Sequence, residues 1–189
     1  MVRLPKWVLV VLALALVVAL APSVVAAELV KGKVKSVGAS GKEITITDNA
    51  NEDLLIQVGD HARIFTGGRE KGQLSDLRPG DMVSVIFEKS GDRRTASGLL
   101  LNKGANANAE LGEGTVKSVT PDQNQFTMTD LNGKDWAFNV ANDARVRISD
   151  KDSRFADLKK GEKIFVIFEK KGDQRVVHEI CSVPGIGSK

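Results

Sequence analysis

The chain has no tyrosine, one cysteine, two histidines and three methionines, and aromatic residues make up only 5% of it. A single cysteine cannot form an internal disulfide, so the fold has no covalent staple of that kind. A soft-metal site needs several nitrogen or sulfur ligands converging on one point. Met82, Met128, His61, His178 and Cys181 are instead spread over both halves of the chain, and no dedicated copper site is expected. Also missing are a nucleophile elbow, a Ser/His/Asp arrangement and a glycine-rich phosphate loop leading into a helix. No catalytic residue, metal ligand or cofactor is therefore assigned, and enzyme activity is not expected. After residue 28 there is no long block of one charge sign and no long amphipathic helical period.

The one long apolar run lies at the N-terminus. Arg3 and Lys6 precede an uninterrupted stretch, Trp7 to Leu20, which Pro22 ends before Val25-Ala26-Ala27. That order, short positive region, apolar core and small residues at the cleavage position, reads as a signal peptide over residues 1–27, with Glu28 as the first mature residue. An uncleaved anchor is the competing reading, since the run approaches the ~20 residues needed to span a bilayer. Pro22 beside the cleavage motif favours removal, and the expected location is periplasmic or secreted. Export also changes the meaning of the basic balance. The full chain carries 27 Lys+Arg; without Arg3 and Lys6 there are 25, against 24 Asp+Glu, a net +1. A phosphate-tracking surface needs a basic stripe, and no nucleic-acid partner is expected.

The strongest signal in the rest of the chain is a duplication. Gly32-Lys33-Val34-Lys35-Ser36-Val37 returns as Gly114-Thr115-Val116-Lys117-Ser118-Val119, an offset of 82. Asp53-Leu54-Leu55-Ile56-Gln57-Val58 returns as Asp135-Trp136-Ala137-Phe138-Asn139-Val140, and Ala62-Arg63 as Ala144-Arg145. By Leu77 and Leu158 the offset is 81, which places a one-residue length change in the loop 66–73. The expected organisation is a first repeat over 28–101, a flexible linker over 102–109 with no large apolar residue, a second repeat over 110–183 and a tail over 184–189.

Within each repeat, short β-rich runs alternate with turn residues. Strands are expected at 29–37, 42–48, 53–58, 82–89 and 94–101, with equivalents one repeat later, and a short further strand at 61–65. Val83, Val85 and Phe87 share one strand face, as do Ile164, Val166 and Phe168, and these faces are assigned to the core. Residues 73–77 are too few for an α-helix and read as a single turn closing a barrel end. Five strands in about 70 residues favour a closed barrel, because closure removes exposed edges. The fold class is all-β: two tandem, small, OB-like five-stranded barrels. Barrels of this size bury only about 60% of their unfolded surface, which gives the two a reason to pack together.

The pattern Gly-x-Val-x-Ser-Val, then Thr-x-Thr-Asp, then Leu-x-x-Gly-Asp/Glu-x-Val/Ile resembles a family of exported bacterial OB-like β-barrel modules catalogued as domains of unknown function. The resemblance covers nearly all of both repeats and implies fold and export. The Gly-x-Val-Lys-Ser-Val opening is also similar, more loosely, to periplasmic copper- and silver-binding OB-like proteins. In that group a His, two Met spaced two apart and a capping Trp hold the ion. Here the third strand reads Trp136-Ala137-Phe138-Asn139-Val140 in one copy and Leu54-Leu55-Ile56-Gln57-Val58 in the other. Neither contains the Met pair.

Trp136 alternates with Phe138 and Val140 and takes the place of Leu54, so it is assigned to the core; Met128, in the place of Ile46, is treated likewise. Cys181 is expected half-buried on the last strand, as a free thiol or paired between chains. Asp48/Asp130 and Asp53/Asp135 flank equivalent turns, where an Asp side chain commonly bonds the local backbone. The polar residues repeated between copies, Lys35/Lys117, Ser36/Ser118 and Arg63/Arg145, are the candidate surface-binding residues, with strand-edge ion pairing as their competing explanation. The expected function is a non-enzymatic exported module that binds or scaffolds an envelope protein or polymer. A periplasmic metal-binding protein and an OB-type polyanion binder are the alternatives.

Overall fold

Alternating apolar residues and glycine-bearing turns give eleven strands in the computed structural model, which describes residues 27–67 and 72–182. The expected signal peptide, except for Ala27, and the expected tail lie outside the described residues. The strands are β1 (Ala27–Val37), β2 (Glu43–Asp48), β3 (Asp53–Phe65), β4 (Met82–Ser90), β5 (Arg93–Leu101), β6 (Glu110–Thr120), β7 (Gln125–Asp130), β8 (Asp135–Ile148), β9 (Lys151–Ser153), β10 (Lys163–Lys171) and β11 (Gln174–Ser182). No α-helix occurs among the described residues, only short 3₁₀ turns.

The first barrel closes in the order β1-β2-β3-β5-β4. The second follows the same path, β6-β7-β8-β11-β10, with β9 added along β8. In each, one parallel pairing completes the ring: β3 with β5, and β8 with β11. The chain is thus two closed five-stranded OB-like barrels in tandem. The short strand expected at 61–65 is the far half of β3, which bends through an irregularity between Val58 and Arg63 and so serves two stretches of β5. β1 and β6 each contain a bulge at one residue, Lys35 and Lys117, where the register against the next strand shifts. A bulge increases local twist and lets a long strand wrap around a small barrel.

Each barrel is filled by its alternating set. Val83, Val85 and Phe87 pack with Ile44, Ile46 and Ile56 in the first, and Ile164, Val166 and Phe168 with Phe126, Met128 and Phe138 in the second. The single turn read at 73–77 is a 3₁₀ turn, Leu74–Asp76, that inserts Leu74 and Leu77 into the first core. The Asp side chains at the β2–β3 and β7–β8 turns accept from local backbone N–H groups. Asp48 Oδ1 takes Ala50 and Glu52, and Asp130 Oδ1 takes Asn132 and Lys134, at 2.8–2.9 Å.

A third core lies between the barrels. Phe65, Ile86 and Leu100 of the first meet Leu111, Phe165, Ile167 and Cys181 of the second, with Ala109 beside them. Apart from Ala109, these side chains leave β3, β4, β5, β6, β10 and β11 on the outer faces. In β4 the five consecutive residues Val83–Phe87 are therefore all buried, and in β10 Ile164–Phe168. Gly98 makes the closest fit: a Cβ there would lie 2.6 Å from Phe165 Cε1. Two polar contacts flank this core. Ser97 Oγ donates to Glu113 Oε2 at 2.5 Å, and Arg63 bonds Asp150 and the Ser182 carbonyl.

Three expectations need correction here. The stretch 102–109 is folded rather than a flexible tether: the Asn102 side chain accepts from Ser84 Oγ and donates to the carbonyls of Asn106 and Ala109. Cys181 is 2% exposed between the barrels, not half-buried, and burial pushes its thiol above the ordinary value. Arg63 is no surface residue; its side chain is only 11% exposed, because the packing of the barrels covers it.

Candidate functional site

β6 pairs with β10 along Glu110–Thr115, but with β7 only from Gly114 onward. Its first four residues therefore have no strand neighbour on the β7 side, and a seam opens there toward the β7–β8 turn. β1 has the same seam, since Ala27–Lys31 pair with β4 alone. In the first barrel Val30 packs its side chain against the core at this seam. The equivalent residue of the second barrel, 82 positions on, is Gly112. A Cβ on Gly112 would face Val166 Cγ2, Phe168 Cε1 and Met128 Cε at 3.0, 3.5 and 3.6 Å. With no side chain there, the seam opens into a cavity of ≈ 260 Å³.

Met128, Phe138 and Phe168 form its inner wall, and Trp136 stands at the side. The first barrel contributes the opposing lip through Ala27, Leu29 and Ile86. Leu29 and Leu131 on the rim are 49% and 40% exposed, among the few large apolar side chains left in solvent. The cleft thus joins an apolar interior to an apolar rim, and both barrels build it.

Trp136 packs against the second core as Leu54 does against the first, both partly buried. It pairs across the hairpin with Met128 and is half-buried at the mouth of the barrel. Its indole N–H donates to Asp130 Oδ2 at 2.8 Å, which fixes the ring plane. Lys134 Nζ lies 4.0 Å from the ring centroid and the Arg175 guanidinium carbon 4.2 Å. Burial alone would raise the Asp130 carboxyl, but the bonds from Trp136, Lys134 and Asn132 and the Lys134 charge together hold it below its ordinary value. Across the cleft, Lys170 pairs with Glu110 at 3.1 Å. Arg175 has no ion pair among the described residues, and its Nε is buried without a hydrogen-bond partner. It also reaches the edge of a second, more polar depression, lined by Ser118, Gln125 and Asn139.

The six repeated polar residues do not gather at this cleft. Lys35 bonds Asp53, which also accepts from Thr47; Lys117, Asp135 and Thr129 repeat the arrangement in the second barrel. These are surface cross-strand ties, anchored by the bulges that hold the two lysines. Hydrogen bonds from Lys35 and Lys117 hold Asp53 and Asp135 below their ordinary values. Ser36 is exposed on β1, and Ser118 borders the polar depression. Arg63 serves the inter-barrel contact, and Arg145 is exposed opposite Glu179 on β11. His178 sits in the β10–β11 irregularity with Nε2 3.6 Å from Glu169. Among the described residues no three of His, Cys, Asp and Glu converge.

Sequence reading missed Gly112, Arg175 and the exposure of Trp136. Arg175 repeats Arg94 of the first copy and carries no such signal; for Gly112 and Trp136 the signal is where the duplication breaks. Val30 to Gly112 and Leu54 to Trp136 are large changes of side-chain volume, and the structure puts both at one opening.

No protein-family model matches the chain, and no curated protein matches it. Among solved structures it is similar to a crystal structure of Ag(I)CusF, with 15% identity and a TM-score of 0.31 over 38% of this chain and 93% of that one. Apo-CusF residues 6–88 from Escherichia coli align with 14% identity and a TM-score of 0.35, over 44% of this chain and 96% of that one. Each alignment spans less than half of this chain, and at these values it says nothing of what the chain binds.

Proposed function

We propose that the protein is a non-enzymatic, exported binding module of the cell envelope, and that its ligand site is the cleft at the seam of the second barrel. The observation that carries this reading is the open cavity at Gly112, flanked by a fixed, half-exposed Trp136 and lipped by the other barrel. Apolar clefts with a few oriented polar groups are the usual form of ligand sites. Export rests on the N-terminal sequence, and a mature N-terminus at Glu28, read by intact mass of the exported protein, is its check.

The alternative in which the chain carries a soft cation is disfavoured at this site. Met128 supplies one thioether, and the indole beside it already faces two cationic side chains, so a third positive charge would meet repulsion.

In the mature chain Trp136 is the only indole, since the full chain has two and Trp7 lies in the expected signal peptide. Saturable change of its emission on titration with 4-phenylbutan-1-ol, abolished by Gly112→Val, is the expected result. Unchanged emission with that alcohol and with its carboxylate counterpart would remove the cleft as the site.

A further inference from the structure

The cleft's charged groups narrow what it takes. Three acidic side chains border it from the β1 and β6 side, Glu28, Glu110 and Glu113. Glu110 is matched by Lys170 at 3.1 Å and Lys31 at 4.0 Å, and Glu113 is held by Ser97. On the Trp136 side Asp130 is fully engaged by two backbone N–H groups and the indole. Arg175 is the exception. Its guanidinium rests against the indole, its Nε is buried without a partner, and no carboxylate among the described residues pairs with it. A guanidinium that lines the cleft without a carboxylate partner is open to one from a ligand, and its fork fits a carboxylate in bidentate fashion.

Resting on the binding reading above, we infer that the ligand is a small monocarboxylate with an aryl or branched alkyl body. Its carboxylate sits on Arg175 and its body lies against Met128, Phe138 and Phe168. The size agrees: an apolar cavity of roughly 150 Å³ accommodates a benzene ring, so ≈ 260 Å³ takes one ring with a short chain. The acidic side of the cleft sets the charge limit. A single negative charge is satisfied at Arg175, whereas a phosphate monoester places a second one facing Glu28, Glu110 and Glu113, where like charges discriminate against it. Arg175 is also within reach of the polar depression beyond Phe138, since both residues line both openings. A ligand with a polar extension past its carboxylate has room to run there.

The test uses the mature exported chain, with 4-phenylbutyrate, 4-phenylbutan-1-ol and 4-phenylbutyl phosphate as probes and Trp136 emission as the readout. The carboxylate is expected to bind at least ~10-fold tighter than the alcohol, the margin of a charge-assisted hydrogen bond, and tighter than the phosphate. Arg175→Met, which keeps the side chain's bulk over the indole, should reduce carboxylate binding to the level of the alcohol and leave the alcohol unchanged. Arg175→Lys, which keeps the charge without the fork, should fall between the two. If carboxylate and alcohol bind equally and Arg175→Met changes neither, the anion inference is overturned while the cleft stands as a site. If the phosphate binds tightest, the monoanion limit is wrong. If no probe changes Trp136 emission, the inference fails together with the binding reading.

Discussion

At the seam of the first barrel stands Val30, and at the seam of the second Gly112. Around them the two copies keep the same strands, bulges and turn carboxylates, and Val83, Val85 and Phe87 are matched by Ile164, Val166 and Phe168. The barrel with the valine is closed at that point; the one with the glycine has a cavity, and on the adjacent hairpin it has a tryptophan where the first has leucine. A duplicated fold thus separates the residues that make a barrel from those that give one barrel a use. The first kind repeat; of the second, Gly112 and Trp136 appear as local departures, while Arg175 repeats Arg94 and differs only in what surrounds it.

The largest effect expected on this contrast comes from the paired core phenylalanines. Phe87→Ala should cost about 3–5 kcal/mol, the usual range for such a truncation, which is comparable with the whole stability of a small domain. Phe168→Ala should cost less, since Phe168 already borders the cavity and has fewer neighbours to lose. Denaturant titration followed by circular dichroism, with Trp136 emission of the mature chain reporting the second barrel alone, compares the two. Equal losses would mean that the seam of the second barrel is packed as tightly as that of the first.

Exchanging the seam residues comes next. Val30→Gly should destabilise the first barrel by about 2 kcal/mol, combining lost burial with the cost of glycine in a strand. Gly112→Val should cost about 1–3 kcal/mol, the range for overpacking, because its Cβ would lie 3.0 Å from Val166 Cγ2 while its methyl groups fill the cavity. A large loss for Gly112→Val would show that β6 requires glycine for its backbone and not for the opening.

Glu113 offers a pH-dependent test with a smaller amplitude. Burial raises its carboxyl above the ordinary value; the Ser97 bond works against this, the Glu88 charge adds to it and the Lys163 charge opposes it. A carboxyl whose folded pKa is raised favours the folded state in its protonated form. Its contribution is fully present below the unfolded value, ~4.3, and is lost as pH rises through the folded one. Glu113→Gln should therefore stabilise the protein at neutral pH, with the gain shrinking on acidification toward pH 4. A gain independent of pH would point to a cause other than ionisation.

The smallest effect belongs to the ties that the copies share. Lys35→Met and Lys117→Met should lower stability slightly and equally at low salt, and the difference should fade at 1 M salt, as for exposed ion pairs. Unequal losses in thermal melts would show that one of the two lysines has a role beyond the tie.

Strand positions and barrel closure were legible because a period of two and glycine turns are local signals. The inter-barrel core was not, although a trace of it exists. Ile86, Phe165 and Ile167 break the alternation of β4 and β10 with apolar residues on the outward face, which is what a strand buried on both sides looks like. Which surface those residues meet depends on the placement of a second barrel, and no local pattern encodes that. The same gap explains Arg63, a repeated polar residue that reads as surface until another domain covers it. Alternation placed Trp136 on the core side correctly, but it gives the face of a strand and not the distance from the barrel mouth, so the cleft at its edge was not legible.

The third core has one more consequence. Two of its pairs occupy corresponding strand positions in the repeats, Ile86 with Ile167 and Leu100 with Cys181, while Phe165 answers to Ser84 and Leu111 to the exposed Leu29, so the copies bring partly the same patch to the contact. Such a patch resembles one half of a two-fold homodimer interface, with the segment 102–109 joining the halves. A short tether raises the local concentration of one half around the other to about the millimolar range, so dilution cannot part them and a modest contact suffices. It also removes the constraint that both halves be identical. A true homodimer would carry any glycine at residue 112 twice and open two seams. The fused pair opens one and uses its unopened half as the lip.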